Sequence, residues 1–254
     1  MHGISAIVVT WNSGREIRGC LRSLTRSLHG VAHEVILVDN NSTDFTCQTV
    51  VHHFPSVCLI RNTINWGFGQ GNNIGIRKSR GEYILLLNPD TIVNKQSIKG
   101  MIAYLDTHPD VGAVGPEQVD ATGRMLFTAS RLSLRGVSEY LVEQTVSLIV
   151  NKQKILFPAP YPVPYLNAGC VLVRRSALPP FPYFDPKLFI YGEEFDFFPK
   201  VRRAGWHIVF LRNLPIRHDR GESINPTGKK LSFALRSFSY LIKRRLFRLP
   251  PASG

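Results

Sequence analysis

Residues 4–39, ISAIVVTWNSGREIRGCLRSLTRSLHGVAHEVILVD, contain the pattern that sets the architecture. Ile4–Thr10 is a continuous apolar run typical of a buried strand, and residues 35–39 form a second such run. The apolar residues between the two runs share one face of a helix: Ile17, Leu21, Leu24 and Leu28. A strand, a helix and a second strand in this order predict a parallel βαβ unit.

The same alternation continues along the chain. Further strand-like runs lie at residues 57–61, 83–87, 111–115, 170–174 and 207–211. Helical periodicity marks residues 47–54, 98–105 and 195–203, although Pro199 is expected to end or kink the last helix. The sequence therefore predicts an α/β fold with a Rossmann-like, mostly parallel central sheet covered by helices on both faces.

Composition limits the class of protein. A chain of 254 residues with 44% hydrophobic residues can bury a core, which excludes disorder, a collagen-like fibre and a disulfide mini-protein. The net charge of +13 favours nucleic acid, an anionic membrane or a phosphate-bearing substrate as a partner, without choosing among them. We expect no signal peptide and no membrane span, since no apolar run approaches the roughly 18 residues required.

The four cysteines show neither a CxxC pair nor metal spacing with histidine. The sequence therefore predicts no disulfide framework and no zinc site, and it indicates buried thiols in a reducing cytosol.

Polar residues follow four of the predicted strands. Ligands in open α/β sheets bind beyond the carboxyl ends of the strands, so these residues are candidates for binding a base, a ribose or a phosphate. The segments are Thr10–Ser13, Asp39–Asp44, Arg61–Phe68 with Gly71–Gly75, and Asn88–Asp90. The residue types in these segments are also common in turns and at helix N-caps. Ser42 or Asp44 could therefore cap the next helix without any ligand. The Rossmann GxGxxG and P-loop motifs are absent from the sequence.

These segments resemble the nucleotide-binding half of family 2 glycosyltransferases, and in particular the bacterial rhamnosyltransferase-like branch. The stretches that carry the resemblance are VVTWN (8–12), VDNNSTD (38–44), NWGF (65–68), NNIG (72–75) and LLNPD (86–90). It continues through AGCVLVRR (168–175), YGEEFD (191–196), RRAGW (202–206), His218 and GES (221–223). The resemblance implies a GT-A fold and the transfer of a sugar from a nucleotide-diphosphate donor.

The same resemblance implies the domain organisation. We expect one GT-A catalytic domain at residues 1–228, with a nucleotide-binding half at 1–115 and an acceptor half at 116–228. Residues 120–165 read as an insertion or mobile loop. Residues 229–254 form a basic segment with helical spacing of its apolar residues.

Donor and metal roles follow from the resemblance, residue by residue. Asp39 matches the aspartate that holds the nucleobase or ribose. The other donor-binding candidates are Thr10, Trp11, Asn12, Asn40, Asn65, Gly67, Asn72, Asn88 and Arg220. Asn88-Pro89-Asp90 stands at the metal-binding Asp-x-Asp, so Asp90 is the main expected ligand of Mg²⁺ or Mn²⁺, and His218 reaches the metal or the diphosphate. Asp90 as a helix cap and His218 as an ordinary histidine are the alternatives.

An acceptor hydroxyl needs a general base when it attacks the sugar, because its pKa lies far above 7. Glu193-Glu194 matches the Glu-Asp pair of the family, whose second member is usually the base, so Glu194 is the first candidate. Glutamate here replaces aspartate, which keeps Glu193 and Asp196 as further catalytic candidates. Carboxylates that only stabilise a helix N-terminus are the alternative for all three.

The sequence as a whole favours an inverting glycosyltransferase of cell-surface polysaccharide synthesis. The expected donor is dTDP-rhamnose and the expected acceptor a glycan or a lipid-linked glycan. The alternatives are a UDP-hexose or UDP-galactofuranose donor, and a non-catalytic nucleotide-sugar-binding or glycan-binding homologue. We expect a cytoplasmic protein without a nucleic-acid partner.

The excess positive charge is assigned to two patches. The basic residues of the C-terminal segment would dock on the anionic inner leaflet or form a solvated face: Lys229, Lys230, Arg236, Lys243, Arg244, Arg245 and Arg248. Arg202, Arg203, Arg217 and Arg220 are expected near the diphosphate.

Overall fold

The computed structural model of the chain describes residues 3–126, 129–130, 160–219 and 227–246. The strands are β1 (Ile4–Thr10), β2 (His33–Asp39), β3 (Cys58–Arg61), β4 (Tyr83–Leu87), β5 (Thr91–Ile92), β6 (Val111–Val119), β7 (Ala129–Ser130), β8 (Tyr161–Pro162), β9 (Tyr165–Leu166), β10 (Cys170–Arg174) and β11 (His207–His218). The helices are α1 (Ile17–Ser27), α2 (Thr46–His53), α3 (Gly67–Lys78), α4 (Lys95–Thr107), α5 (Glu193–Arg203) and α6 (Thr227–Leu246).

Nine strands of the described ranges form one sheet, in the order β3-β2-β1-β4-β10-β6-β11-β5, with β8 paired to β11. Its first half, β3-β2-β1-β4, is parallel throughout, as the βαβ pattern predicts. Beyond β4 the sheet is mixed, because β10 is antiparallel to both β4 and β6. Antiparallel β10 therefore begins at the edge where β4 ends, and it brings the residues before Cys170 to that edge.

Helices cover both faces of the sheet, as predicted. On β1, Ala6 and Val8 pack into the cluster that holds the apolar stripes of α1 and α4, whereas Ile7 packs on the other face. That second face is covered by α3 and by Phe197 and Phe198 of α5.

Helix α3 is absent from the predicted elements because its sequence is rich in glycine. The helix lies so close to the sheet that a Cβ atom on Gly71 would stand 2.5 Å from Cγ1 of Val9, and one on Gly75 would collide with Ile7. Glycine is thus required for the packing distance, although it lowers the helix propensity.

Helix α5 runs through Pro199 to Arg203 instead of ending at the proline. Its buried residues lie on both sides of the proline, with Phe197 and Phe198 before it and Val201 after it. Tertiary burial therefore outweighs the lost backbone hydrogen bond.

Helix α6 lies where the spacing of apolar residues predicts a helix, and its Ser237, Tyr240 and Arg244 side chains bond to Ile190 and Asp185. Arg244 points inward to Asp185 and Asp196, so its assignment to a membrane-facing surface is wrong. Arg236 and Lys243 are exposed, as a basic outer face requires.

Several predicted features lie outside the described residues. They are residues 131–159 of the expected insertion, Arg220 with residues 221–226, and Arg248. Among the helices that the structure describes, none has the length and apolarity needed to cross a membrane.

Candidate active site

The carboxyl ends of β1 and β2 bring Thr10 and Asp39 side by side, since these two residues are register partners. Both are buried. The Thr10 hydroxyl lies in the interior without a hydrogen-bond partner among the described residues. A buried polar atom of this kind ordinarily has a partner, so it marks a position where a ligand can bind. Trp11 follows at once and is exposed.

Ser42 and Asn12 shape the loops beside Asp39. Oδ1 and Oδ2 of Asp39 accept hydrogen bonds from Oγ and N of Ser42, at 2.5 and 3.0 Å. Asn12 has a positive φ, and its Oδ1 accepts from Thr43 N at 2.8 Å, so its side chain ties the two loops together. Asp44 accepts from Thr46 at the start of α2, which is the capping role expected of it.

Asn40, Asn65 and Gly67 form the entry to α3. Asn40 donates to Gly67 O at 2.9 Å, and Asn65 accepts from Gly67 N at 2.8 Å. A Cβ on Gly67 would collide with Phe189 O, so only glycine fits here. Asn72 lies inside α3, where it donates to Phe68 O. These donor-binding candidates therefore lie at one edge of the sheet, and the side chains of Asn40 and Asn72 bond to the protein's own backbone.

Asn88, Asp90 and His218 meet just beyond β4. Asp90 Oδ1 lies 3.2 Å from His218 Nε2, and Asn88 Nδ2 lies 3.4 Å from the same nitrogen. Oδ1 of Asn88 is buried without a hydrogen-bond partner among the described residues. The family resemblance assigned Asp90 and His218 to one site, and the structure brings the two side chains together although they lie 128 positions apart in the chain.

Gln118 at the end of β6 is a site residue that the sequence analysis missed. Its Oε1 lies 2.7 Å from Nδ1 of His218, and its Nε2 donates to Asn167 O at 3.5 Å. The amide is therefore oriented so that Oε1 accepts the Nδ1–H of His218. The predicted strand 111–115 ended three residues too early to reach Gln118, and no sequence motif marked it.

Glu193 and Glu194 begin α5 and come close to the same edge of the sheet. Glu194 Oε1 accepts from Ala168 N at 3.5 Å, and the next residue, Gly169, accepts from Asn88 N at 3.0 Å. Gly169 also packs directly on the imidazole of His218, where a Cβ would stand 2.6 Å from Cε1. A short backbone path thus joins Glu194 to the Asn88–Asp90–His218 cluster.

Burial dominates the electrostatics of the two glutamates. Burial raises the pKa of Glu193 well above its usual range, and the charge of neighbouring Glu194 raises it further. Burial also raises the pKa of Glu194, against the hydrogen bonds from its own N–H and that of Ala168. A carboxylate with a raised pKa is a stronger proton acceptor, which suits a general base.

Asp196, the third catalytic candidate, lies in ion pairs. Its Oδ1 is 2.6 Å from Arg244 and its Oδ2 is 2.7 Å from Lys200, and Oδ2 also accepts from Asp185 N. Arg202 and Arg203 end α5, just before the first residue of β11, whereas His218 ends that strand, roughly 36 Å from its start at about 3.3 Å per residue. The expectation that these two arginines lie near the diphosphate is therefore wrong.

The cluster beyond β4 fits a divalent cation. Mg²⁺ and Mn²⁺ bind oxygen ligands, with imidazole also available to Mn²⁺, and they usually bind one or two protein groups together with substrate phosphates. Asp90, His218 and the unpartnered Oδ1 of Asn88 form such a set. Among the described residues, no group of three or more His, Cys, Asp and Glu side chains could hold a metal by itself.

The fold and this edge of the sheet define a nucleotide-sugar transferase of the GT-A type. The family model for glycosyl transferase family 2 matches residues 5–179, which is more than half of the chain. The protein belongs to this family and is a glycosyltransferase.

Two curated relatives support the rhamnosyltransferase-like branch. The N-acetylglucosaminyl-diphospho-decaprenol L-rhamnosyltransferase of Mycobacterium tuberculosis (strain CDC 1551 / Oshkosh) is 28% identical over 237 residues, which cover 87% of this chain and 77% of the relative. The rhamnosyltransferase WbbL of Escherichia coli (strain K12) is 24% identical over 234 residues, which cover 84% of each chain.

A solved structure supports the fold. Glucosyl-3-phosphoglycerate synthase from Mycobacterium tuberculosis, in complex with Mn²⁺, UDP and phosphoglyceric acid, superimposes with a TM-score of 0.63 at 17% identity. The match covers 96% of this chain and 78% of that structure.

Proposed function

We propose that this glycosyltransferase moves a sugar, with inversion, from a nucleotide-diphosphate donor to a glycan or lipid-linked acceptor. The proposed donor is dTDP-rhamnose, and the pathway is the synthesis of a cell-surface polysaccharide. The observation that carries the proposal is that Asp39, the Asp90–His218 pair and Glu194 lie along one edge of the sheet. The names of the two rhamnosyltransferase relatives support the choice of donor.

Donor binding is assigned to the ends of β1, β2 and β4. Asp39 and the unpartnered hydroxyl of Thr10 would hold the nucleoside, with Trp11 exposed beside them. Asp90, His218 and Asn88 would hold a divalent cation, with Mn²⁺ favoured over Mg²⁺ because of the imidazole. When bound, such a cation neutralises charge on the departing diphosphate.

Glu194 is assigned as the general base. Its carboxylate accepts the proton of the acceptor hydroxyl while the oxygen forms a bond to C1 of the sugar. The bond from C1 to the phosphate oxygen breaks, and its electron pair leaves with the nucleoside diphosphate. One base and one displacement give inversion at C1.

Asp90→Ala tests the donor and metal assignment. Wild-type protein is expected to show a raised melting temperature when Mn²⁺ and the right nucleotide sugar are added together, because a ligand that binds the folded state stabilises it. Asp90→Ala is expected to lose that shift. Asp110→Ala, a change at an exposed aspartate before β6, is the matched control and should keep it. A panel of dTDP- and UDP-sugars identifies the donor, and an unchanged shift in Asp90→Ala would contradict the metal assignment.

Glu194→Gln tests the base. This variant should bind donor normally and lose roughly 10²–10⁴-fold in turnover. Glu193→Gln and Asp196→Asn, measured in parallel, decide whether either of the other acids is the base instead. Donor binding without transfer or hydrolysis in the wild type would favour the non-catalytic alternative.

A second proposal concerns the outer face of α6, which we assign to an anionic membrane surface. Leu235 and Ile242 are 53% and 40% exposed on that face, and exposed Arg236 and Lys243 lie next to them in sequence. Apolar side chains flanked by cations suit the interface of an anionic bilayer, where a lipid-linked acceptor would be met.

Vesicle binding tests this assignment. Wild-type protein should sediment with phosphatidylglycerol-containing vesicles and not with pure phosphatidylcholine. Arg236→Glu with Lys243→Glu should weaken binding about tenfold or more, since each basic residue contributes about 1 kcal/mol near such a surface. Lys78→Glu with Lys99→Glu changes the net charge equally on other helices and is the control. Equal binding by the two double variants would contradict a role for α6.

A further inference from the structure

The segment from Asp185 to Asp196, here called the acidic segment, connects the donor side of the site to the C-terminal helix. It carries Glu193 and Glu194 near its end. On the donor side, Phe189 O accepts from Phe68 N at the start of α3, and Asn73 bonds both to N and to O of Phe184 just before the segment. The position of the acidic segment therefore fixes where Glu193 and Glu194 lie relative to the donor edge, the name used here for the ends of β1, β2 and β4 with Thr10, Asp39, Asn88 and Asp90.

The acidic segment has internal hydrogen bonds, among them Asp185 N to Oδ2 of Asp196 at 3.0 Å, but its backbone is strained next to the glutamates. Tyr191 has a φ of 67° and Gly192 a φ of 96°, directly before the two glutamates. A non-glycine residue in the left-handed region costs of order 1 kcal/mol or more and persists only when surrounding contacts enforce it. The contacts that enforce it come from the start of α3, where Phe68 N donates to Phe189 O, and from α6.

Arg244 of α6 joins the two ends of the acidic segment. Its Nη1 lies 3.0 Å from Oδ2 of Asp185 and 2.6 Å from Oδ1 of Asp196. Tyr240, one turn earlier on α6, donates to the same Oδ2 of Asp185 at 2.8 Å. The Asp185 side chain is fully buried, and Arg244 is its only cationic partner among the described ion pairs.

Further contacts along α6 reach the tip of the segment. Ser237 Oγ donates to Ile190 O at 3.0 Å, and the ring of Phe233 stacks on Phe189 at 5.1 Å. Leu241 packs so close to Gly192 that a Cβ there would stand 3.1 Å from its Cδ1. One face of α6 therefore contacts the segment at its base and at its tip.

We propose that Arg244 is a positioning residue, which holds the acidic segment closed and so keeps Glu193 and Glu194 aligned with the donor edge. The inference rests on the proposed function for its catalytic part. The buried carboxylate of Asp185 would be left without its cation if Arg244 were removed, and a buried unpaired charge draws in water or moves outward. Either response separates Asp185 and Asp196, the two ends of the acidic segment. Asp196 is only two residues from Glu194, so Glu194 would move as well.

The loss of Arg244 should displace Glu193 and Glu194, which act on the acceptor, and leave the donor-binding residues in place. Thr10, Asp39, Asn88 and Asp90 lie at the ends of β1, β2 and β4 or just beyond them. The side chain of Asp39 accepts from Ser42, and that of Asn88 lies against His218, so these two contacts are made away from α6. Loss of Arg244 should therefore reduce turnover while donor binding stays intact.

Arg244→Ala and Lys99→Ala form a matched pair for the test. Each removes one positive charge from a helix, but Lys99 is exposed on α4 whereas Arg244 is only 15% exposed and paired. Hydrogen–deuterium exchange is measured on the full chain. Arg244→Ala is expected to exchange faster across 185–196, with β1, β2 and β4 unchanged, and Lys99→Ala is expected to match the wild type.

Kinetics with the donor that the nucleotide-sugar panel identifies supply the functional readout. Arg244→Ala should lower kcat at least tenfold with donor KM unchanged within twofold. The acidic limb of its pH profile should move to lower pH, because water that reaches the glutamates lowers their raised pKa values. A merely structural residue would change kcat, KM and exchange throughout the sheet together.

The outcomes separate the two proposals. Unchanged exchange and unchanged kcat in Arg244→Ala would overturn the positioning role, as would a parallel loss of donor binding. If Arg244→Ala does not fold, Arg244→Lys, which keeps the charge but not the planar fork, is measured in the same way and should show a smaller opening. If the wild type turns over none of the donors, the proposed function fails, and hydrogen exchange still decides whether Arg244 holds the segment.

Discussion

Gln118 Oε1 lies 2.7 Å from Nδ1 of His218, and this contact determines which nitrogen of the imidazole carries a proton. An amide oxygen only accepts, so Nδ1 must donate. The other nitrogen, Nε2, then faces Oδ1 of Asp90 at 3.2 Å. Two such groups in contact share a proton or a metal ion, which is how a residue behind a ligand tunes a metal site.

Gln118→Leu should therefore weaken binding of Mn²⁺ in the presence of dTDP, the nucleotide of the proposed donor, by roughly 10–100-fold. The substitution removes the acceptor and releases the imidazole to adopt the other tautomer. Gln118→Glu keeps an acceptor oxygen at the same place and should retain most of the affinity. Titration followed by the paramagnetic resonance of free Mn²⁺ measures both. Equal affinity in Gln118→Leu and the wild type would show that the contact does not prepare the site.

The position of the candidate donor-binding residues at one edge of the sheet was predictable from the sequence, because it depends on local patterns. Apolar runs fix β1 and β4, and polar residues directly after a parallel strand must lie at its carboxyl end. Asp90 and His218 were placed together through the family resemblance, and the mixed sheet explains their meeting. Strand β11 is parallel to β6 and pairs with β5 at Thr91 and His218, beside Asp90.

The remaining features depend on contacts that no local pattern records. The glycine-rich sequence of α3 predicts a loop. The glycines are present because α3 packs so close to Ile7 and Val9 that no larger side chain fits. The sequence predicts that Arg244 is exposed like the other basic residues of this helix. The packing of α6 instead places its side chain against buried Asp185. Nothing in the sequence around Gln118 marks it as a site residue, because its partner His218 lies 100 positions later in the chain.

The pH dependence of turnover should reflect the buried glutamates. The base acts when deprotonated, so kcat/KM rises with pH through the pKa of that base. Because burial raises the pKa values of Glu193 and Glu194, the acidic limb should lie above the usual range of a glutamate. Initial rates across the pH range measure it, with binding of the nucleoside diphosphate followed in parallel as the control. A limb at the ordinary glutamate pKa would contradict burial of the base.

Glu193→Gln should stabilise the fold at alkaline pH. A buried acid whose pKa is raised in the folded state favours folding when protonated, and that stability is lost as pH rises through the folded pKa. Oε1 of Glu193 is also buried without a hydrogen-bond partner among the described residues. Each unit of pKa shift corresponds to about 1.4 kcal/mol, so the variant should gain on the wild type as pH rises above the ordinary pKa of a glutamate, and lose that advantage below it. Melting temperatures at several pH values measure the difference, and one that does not vary with pH would contradict the raised pKa.

Gly71→Ala should destabilise the protein even though alanine is the better helix former. A Cβ at Gly71 would lie 2.5 and 3.1 Å from the two Cγ atoms of Val9 and 3.4 Å from Nδ2 of Asn40, so α3 would have to move away from the sheet. Overpacking of this kind costs about 1–3 kcal/mol, which exceeds the gain of up to about 1 kcal/mol in helix propensity. Gly19→Ala is the matched control, since Gly19 is an exposed helical glycine in α1 whose nearest neighbour is the tip of Ile92 at 3.1 Å. Denaturant unfolding should rank Gly71→Ala below the wild type and Gly19→Ala equal to it or above it.

The displaced helix also carries Asn72 and begins at Gly67, so Gly71→Ala should weaken donor binding as well, whereas Gly19→Ala should not. Equal stability of the two variants would mean that α3 lies further from the sheet than its glycines require.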